Sequence, residues 1–245
     1  MKCGKWGLLL AAAMLHLCAG AGTVEPQPLL RIVAPTNQSM PMLRMAGGSP
    51  VEGLLKDLGE ALAEQLAMRP VFVALPSKRA GPAVEAGTAD LLCYVKPGWL
   101  DVQVLWTQSF LPGIGIIAAH SGAPPVSRLQ QLRDEPLGTV LGYRYPVLDQ
   151  AFMQPIHRED VPDAATNLRR LAFGRIRYAV TDRAALDHFL RDNPASGLRE
   201  AIEVERYQLG CALSPDKAAL LAPLNRAIDH MQADGTLDAL LSRYR

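Results

Sequence analysis

Hydrophobic positions along the chain follow two spacings, and their alternation predicts alternating strands and helices. Residues 30–34, 71–75 and 90–95 are short apolar runs bounded by proline, glycine or polar residues, which is typical of buried strands. Residues 52–68 carry apolar side chains about every 3.6 positions, which predicts an amphipathic helix. A short helix ended by glycine is predicted over 83–87. This β-α-β-α-β order favours a parallel sheet covered by helices.

The alternation resumes after a proline-rich link at residues 121–125. Further strands are predicted over 102–106, 115–119, 137–141, 176–180 and 202–213. Further helices are predicted over 126–132, from 147 onward, and over 163–173, 184–190, 215–232 and 236–243. The sequence therefore predicts an α/β protein with two lobes that are linked twice.

Residues 1–21 have the pattern of a cleavable secretory signal peptide. Lys2 and Lys5 form a basic start, residues 6–17 are almost wholly apolar, and residues 19–21 are small. The apolar run is shorter than the ~20 residues of a membrane span, although a short anchor or a lipid on Cys18 is an alternative. In a bacterium, such a signal predicts an exported protein of the periplasm.

Composition excludes several classes of protein. Hydrophobic residues make up 49% of the chain and charged residues 20%, which excludes a disordered protein. The 25 basic and 24 acidic residues nearly balance, which argues against a nucleic-acid partner bound by bulk charge. The histidines are scattered singly, so neither a metal site nor a cofactor is predicted. Residues 113–118 match a loose dinucleotide-binding pattern, but no helix follows them.

Two cysteines, Cys93 and Cys211, remain after removal of a signal peptide. In an exported protein they permit one disulfide. Both lie in short apolar runs, where cysteine commonly serves as a small buried hydrophobe. Because sequence gives no Cα separation, we favour two buried free cysteines over a disulfide.

The chain contains four segments, over residues 53–63, 137–142, 171–182 and 221–244, that in this order resemble the bacterial solute-binding proteins of amino-acid-type ABC importers (family 3, periplasmic binding protein-like II fold). Residues 221–244 are similar to the family's C-terminal pair of helices, with Asn225 followed by an Asp-Gly step. Residues 53–63 are similar to its first helix, and residues 137–142 to the strand that opens its second lobe. Residues 171–182 resemble a family segment that ends in aspartate.

The resemblance implies a clamshell in which a small molecule binds between two lobes, at the carboxyl ends of parallel strands. Residues 29–120 and 206–245 would form the first lobe and residues 121–205 the second. Hinge crossings would lie near residues 119–124 and 203–208. The expected protein is a monomeric, non-catalytic binding protein that delivers its ligand to an ABC permease in the inner membrane.

The family places an arginine after the third strand, where it pairs with the ligand's α-carboxylate. The corresponding loop here, residues 94–101, contains no arginine. This departure argues against an ordinary α-amino acid as ligand. Lys96 is the first candidate to supply the charge and Arg44 the second, although a solvated loop position is an alternative for each. Tyr94 and Trp99 are expected to form an aromatic wall, or else to cap the core.

Asp182 falls where the family keeps an acidic residue for the ligand's ammonium group. It also precedes a predicted helix, so an N-cap role is the alternative. Tyr143, Arg144 and Tyr145 follow the first strand of the second lobe, and two aromatic rings beside an arginine suit a planar or anionic group. A solvent-facing loop is the alternative for these three residues.

Two other functions stay open. An accessory or sensory module for a membrane or redox partner would use the same cleft without transport. A periplasmic enzyme resembling cyclohexadienyl dehydratase would need a positioned acid or base, for which Asp182 and Lys96 are the available candidates. Turnover of prephenate or arogenate would distinguish the enzyme.

Overall fold

The structure of the protein is a computed structural model that describes residue 1 and residues 27–244. Apart from its first residue, the signal peptide expected over 1–21 lies outside the described residues. Along residues 27–244, no helix is long and apolar enough to cross a membrane.

Strands and helices alternate through most of the described chain. The strands are β1 (Leu29–Pro35), β2 (Arg44–Ala46), β3 (Ser49–Glu52), β4 (Arg69–Leu75), β5 (Leu91–Val95), β6 (Leu105–Trp106), β7 (Leu111–His120), β8 (Leu137–Val140), β9 (Arg158–Val161), β10 (Tyr178–Asp182) and β11 (Leu198–Leu213). The α-helices are α1 (Leu54–Gln65), α2 (Ser77–Glu85), α3 (Pro146–Phe152), α4 (Ala164–Ala172), α5 (Arg183–Asp192), α6 (Leu221–Ala233) and α7 (Thr236–Arg243). Short 3-10 helices span Leu129–Leu132 and Pro215–Leu220.

Two long antiparallel strands join two parallel sets of strands. The order across the sheet is β4-β1-β5-β11-β7-β10-β8-β9, with β6 also paired to β11. Strands β4, β1 and β5 are parallel, as are β10, β8 and β9, whereas β11 and β7 run antiparallel to each other and to β5 and β10 respectively. This is the two-lobed α/β architecture that the sequence predicts.

The first lobe forms because its predicted apolar faces meet one another. Leu58 and Leu62, one turn apart on α1, are fully buried against Ile32 of β1 and Leu91 of β5 in one continuous core. The helices α6 and α7 close the same core, with Leu224 fully buried. The 3.6-residue pattern therefore located α1 correctly, although the helix is shorter at both ends than predicted.

The second lobe packs helices on both faces of β10 and β8. Leu148 and Phe152 of α3 lie on one face, in a core with Leu137 of β8. Leu168 of α4 and Leu186 of α5 lie on the other face. Because both faces are covered, β8 is buried along its whole length, as expected for a parallel strand.

Side chains of β7 contribute to the cores of both lobes. Leu111 lies in the core of the first lobe, whereas Ile116 and Ile117 lie in the cores of the second. Ala119, where the first crossing was expected to begin, pairs with Tyr178 of β10. The turn residues at 121–125 follow the end of this strand at His120.

Other differences follow from contacts between distant segments. The hairpin β2–β3 lies where no strand was predicted, helix α2 begins at Ser77 with Pro82 inside it, and β9 lies in a segment predicted to contain no strand. Strand β11 extends to 16 residues because β7 pairs with it from Leu198 onward. Residues 113–118 lie within β7, which confirms that the glycine pattern belongs to a strand and not to a nucleotide-binding loop.

The expectation of two free cysteines is wrong. Cys93 of β5 and Cys211 of β11 are cross-strand neighbours and form a disulfide. They are separated by 118 positions and meet only because β11 returns antiparallel to β5. Short-range sequence patterns do not carry this information.

Replacing both cysteines by alanine is expected to lower the free energy of unfolding by about 2–5 kcal/mol, because the crosslink restricts the unfolded chain. Thermal unfolding of the oxidised wild type and of the Cys93→Ala/Cys211→Ala variant measures the difference. The wild type treated with a reductant should approach the variant. Equal melting temperatures for the oxidised wild type and the variant would contradict a structural disulfide.

Candidate functional site

A cleft of about 170 Å³ lies between the two lobes. Loops that follow β1, β5 and β8 line it, together with the end of β10 and the middle of β11. The carboxyl ends of the parallel strands in both lobes therefore face the same space, as expected for a ligand site in open α/β sheets.

Asp182 ends β10 and lies in this cleft, where Tyr207 of β11 donates a hydrogen bond from its hydroxyl to Oδ1. The residue occupies the N-cap position of α5, yet its side chain makes no capping hydrogen bond. The carboxylate therefore faces the cleft. Asp182 stands at the position of a helix N-cap, but its side chain does not act as one.

Asp182 is also electrostatically unusual. Burial, with a smaller contribution from the nearby carboxylate of Glu205, raises its pKa to about 7. No lysine, arginine or histidine among the described residues lies within ion-pair distance of it. At neutral pH this carboxyl group is therefore about half ionised, and no cation within residues 27–244 compensates its charged form.

Lys96 does not line the cleft itself. Its Nζ lies 2.5 Å from Oε2 of Glu205, and both side chains are about one-fifth exposed. The same Nζ is 5.2 Å from the ring centres of Trp99 and Tyr207, which do line the cleft. The two rings meet edge to face with centroids 5.2 Å apart. Lys96 is thus held by internal contacts.

Tyr94 reaches the cleft through a β-bulge. Cys93 pairs with Cys211 and Val95 with Gly210, which leaves Tyr94 as the extra residue between them. Its φ of 65° lies in the left-handed region that favours glycine, a conformation that costs a tyrosine on the order of 1–2 kcal/mol. The bulge places the buried Tyr94 side chain in the cleft lining.

The three candidate residues after β8 have different surroundings. The hydroxyl of Tyr143 is buried and has no hydrogen-bond partner within the described residues, and burial raises its pKa well above its ordinary value, so it remains a potential donor. Arg144 is exposed and lies 3.7 Å from the more exposed Asp101. Tyr145 accepts a hydrogen bond from the backbone of Val140 and stacks on Arg158, so its hydroxyl is committed within the lobe.

Arg44 does not join the site. It lies on the exposed β2–β3 hairpin and forms two hydrogen bonds, of 2.9 and 2.7 Å, to Glu52. Metal binding likewise receives no support, since residues 27–244 contain no cluster of three or more potential ligands.

Sequence reasoning missed the contributions of Glu205, Tyr207 and Asn37. Glu205 and Tyr207 lie two positions apart on β11, so their side chains point to the same face of the strand and both line the cleft. The sequence signal that could have identified Glu205 is a charged residue inside an expected hinge strand. The ring of Tyr207 also explains why residue 113 is a glycine, because a Cβ at that position would lie 2.0 Å from the ring.

Asn37 connects the two lobes beside the cleft and is almost fully buried. Its side-chain oxygen accepts hydrogen bonds from Ser77, within the first lobe, and its Nδ2 donates to the carbonyl of Leu141, in the second. Its backbone carbonyl accepts from the amide of Ala164 at the start of α4. These contacts hold the lobes together, so the structure represents a closed arrangement.

Comparisons with known proteins agree with this geometry. The family model for bacterial extracellular solute-binding proteins, family 3, matches residues 32–245. The L-cystine-binding protein TcyJ of Escherichia coli strain K12 is 29% identical over 136 residues, which are 55% of this chain and 50% of that protein. The match thus spans about half the length of the curated relative.

Solved structures show the fold over a larger share of the chain. An ancestral arginine-binding protein bound to glutamine matches with a TM-score of 0.76 and 20% identity, covering 90% of this chain and 99% of that chain. The ancestral amino acid-binding protein AncCDT-1, a precursor of cyclohexadienyl dehydratase, matches with a TM-score of 0.72 and 20% identity, covering 88% and 94%. The shared architecture is that of type II periplasmic binding proteins.

The raised pKa of Asp182 predicts a pH-dependent stability. The folded carboxyl group keeps its proton up to about pH 7, whereas the unfolded one releases it near pH ~4, so the folded state holds more protons between these values. As pH rises through this range, the unfolding free energy should fall relative to Asp182→Asn, by at most about 1.4 kcal/mol per pH unit.

Urea unfolding of both proteins from pH 4 to 8 measures this difference. Asp187→Asn, an exposed position on α5, serves as the matched control and should follow the wild type. Parallel curves for the wild type and Asp182→Asn would show that burial does not hold the proton.

Proposed function

Because the chain belongs to family 3 of the bacterial extracellular solute-binding proteins, we propose that it captures a small polar molecule by closing two lobes around it and delivers that molecule to an ABC importer. Export to the periplasm, expected from residues 1–21, fits this role. The named relatives bind amino acids, whereas the ligand of this chain follows from its own cleft.

The observation that carries the proposal is an interlobe cleft lined by uncommitted polar groups. Asp182 has only the hydroxyl of Tyr207 as a partner, and the buried hydroxyl of Tyr143 has none within the described residues. Buried polar groups without partners lose about 1–3 kcal/mol each, so a ligand that bonds to them would stabilise the closed state.

We assign the hinge to residues 112–115 of β7 and 205–208 of β11. Leu111 and Leu209 pack in the first lobe, and Ile116 packs in the second, which supports these positions. The first lobe would then comprise residues 29–111 and 209–245, with the second between the two crossings. Bending of two strands is sufficient to separate the lobes.

Thermal unfolding against a ligand panel tests the proposal. The panel contains amino acids, polyamines, sugars, aromatic carboxylates and small organic acids. A ligand at 100 times its Kd adds about 2.7 kcal/mol, which corresponds to a shift of roughly 5–10 °C for a protein of this size. Small-angle scattering with the best binder should show compaction. The absence of any shift or compaction would contradict the proposal.

A second candidate function, a dehydratase-like enzyme, is favoured by one observation: Asp182 has a pKa of about 7, which suits a general acid or base. Lys96, the other group considered for proton transfer, is paired with Glu205, which favours binding over catalysis. Formation of an aromatic product from prephenate or arogenate would support the enzyme. If a neighbouring gene encodes a kinase or redox enzyme and no permease, the accessory role would gain support.

Substitution of Asn37 is expected to weaken ligand binding through loss of closure. Asn37→Ala removes the hydrogen bond to Leu141 across the lobes, and a net contribution of about 1 kcal/mol corresponds to a roughly fivefold weaker affinity. Calorimetric titration with the most stabilising panel compound measures the change.

The matched control for this prediction is Asn193→Ala. The Asn193 side chain bonds only within the last turn of α5, to the carbonyl of Phe189. This control should keep the wild-type affinity. Equal affinities for Asn37→Ala and the wild type would show that closure does not depend on the Asn37 contact.

A further inference from the structure

The charged groups of the cleft are almost all paired. Arg144, Asp182 and Glu205 line it. Glu205 is held by Lys96 at 2.5 Å, and exposed Arg144 lies 3.7 Å from Asp101. Among the lining residues that the structure describes, Asp182 is the one ionisable group without an ion-pair partner, so the uncommitted charge of the cleft is negative once Asp182 ionises.

Several backbone and side-chain donors around the cleft that could receive a ligand carboxylate are committed elsewhere. At the start of α4, the amide of Ala164 donates to Asn37 at 3.2 Å and the amide of Thr166 donates to Asp163 at 2.7 Å. The first residue of α3 is Pro146, which has no N–H group. Lys96, the cation in the loop after β5, is neutralised by Glu205.

The aromatic side chains of the cleft suit a cation instead. Trp99 and Tyr207 already lie 5.2 Å from an ammonium group, that of Lys96. Tyr94 and Tyr143 line the same cleft as Asp182. Aromatic faces around a carboxylate attract organic cations, most strongly where water is excluded.

We propose that the ligand is a small organic amine without a carboxylate group, and that Glu205 sets this selectivity by neutralising Lys96. The inference rests on the proposed function, because it specifies what the same cleft captures. An α-amino acid would bring its carboxylate to a region whose cation is occupied and would lie near the unpaired Asp182. An amine without a carboxylate needs no free cation in the cleft and brings no second negative charge near Asp182.

Pairs of compounds that differ only in the carboxylate provide the test. Agmatine is compared with arginine, and cadaverine with lysine, by calorimetric titration of the full mature chain at pH 8, where Asp182 is ionised. The amines should bind at least tenfold more tightly than their amino-acid counterparts. Equal or tighter binding of the amino acids would overturn the inference.

Glu205→Gln tests the origin of the selectivity, because it frees Lys96 to pair with a carboxylate. The ratio of amine to amino-acid affinity should fall at least tenfold in this variant, and adding Lys96→Met should abolish the gain in amino-acid binding. Glu203→Gln is the matched control, since Glu203 lies on the same strand as Glu205 and pairs with other cations, Arg183 and Arg206. It should keep the wild-type ratio.

Arg144→Gln provides the opposing arm, since Arg144 is the other cation that a carboxylate could reach. If the wild type binds α-amino acids and this substitution removes the binding, the inference is wrong while the proposed function stands. Binding of only sugars or organic acids leads to the same conclusion. Failure of every compound class to bind would instead contradict the proposed function together with the inference. Melting curves confirm that each variant is folded.

Discussion

The antiparallel pairing of β7 and β11 is the constraint on which the other features depend. Its register runs from Leu198 opposite His120 to Leu209 opposite Leu111, so the two strands belong to the cores of both lobes. Each parallel set of strands attaches to one side of this pair, which turns their carboxyl ends toward a common cleft. The same strand β11 carries Glu205 and Tyr207 to the base of the cleft, and Gly113 of β7 leaves room for the tyrosine ring.

The closed cleft distributes its charges unequally. Lys96 and Glu205 are partly buried and pair with each other, so their mutual attraction offsets part of the desolvation penalty of each. Asp182 receives one hydrogen bond and has no cation partner in the part of the chain that the structure describes, and burial beside the Glu205 carboxylate raises its pKa to about 7. The cleft therefore holds an ion pair beside a carboxyl group that has no cation partner, and in the proposed function that carboxyl group contacts the ligand.

Local patterns predicted those parts of the fold that depend on local physics. The spacing of Leu58 and Leu62 located α1, and the position of Asp182 after a strand placed it at the cleft. Contacts set by the tertiary fold were beyond the sequence: the disulfide joins residues 118 positions apart, and Asn37 meets Leu141 only when the lobes close. Lys96 shows why the sequence alone could not assign the charges of the cleft. Whether the charge of Lys96 is free depends on Glu205, which lies 109 positions away along the chain.

Electrostatics connects ligand capture to closure. Closing the lobes removes water from Asp182, which penalises its charged form and works against closure above pH ~7. A ligand can shift the equilibrium between open and closed states only through interactions that differ between them. A cation placed at Asp182 meets this requirement, since it removes a penalty that exists only in the closed state, while the contacts of Asn37 are the same with or without it. The missing positive charge near Asp182 is therefore what makes closure depend on the ligand.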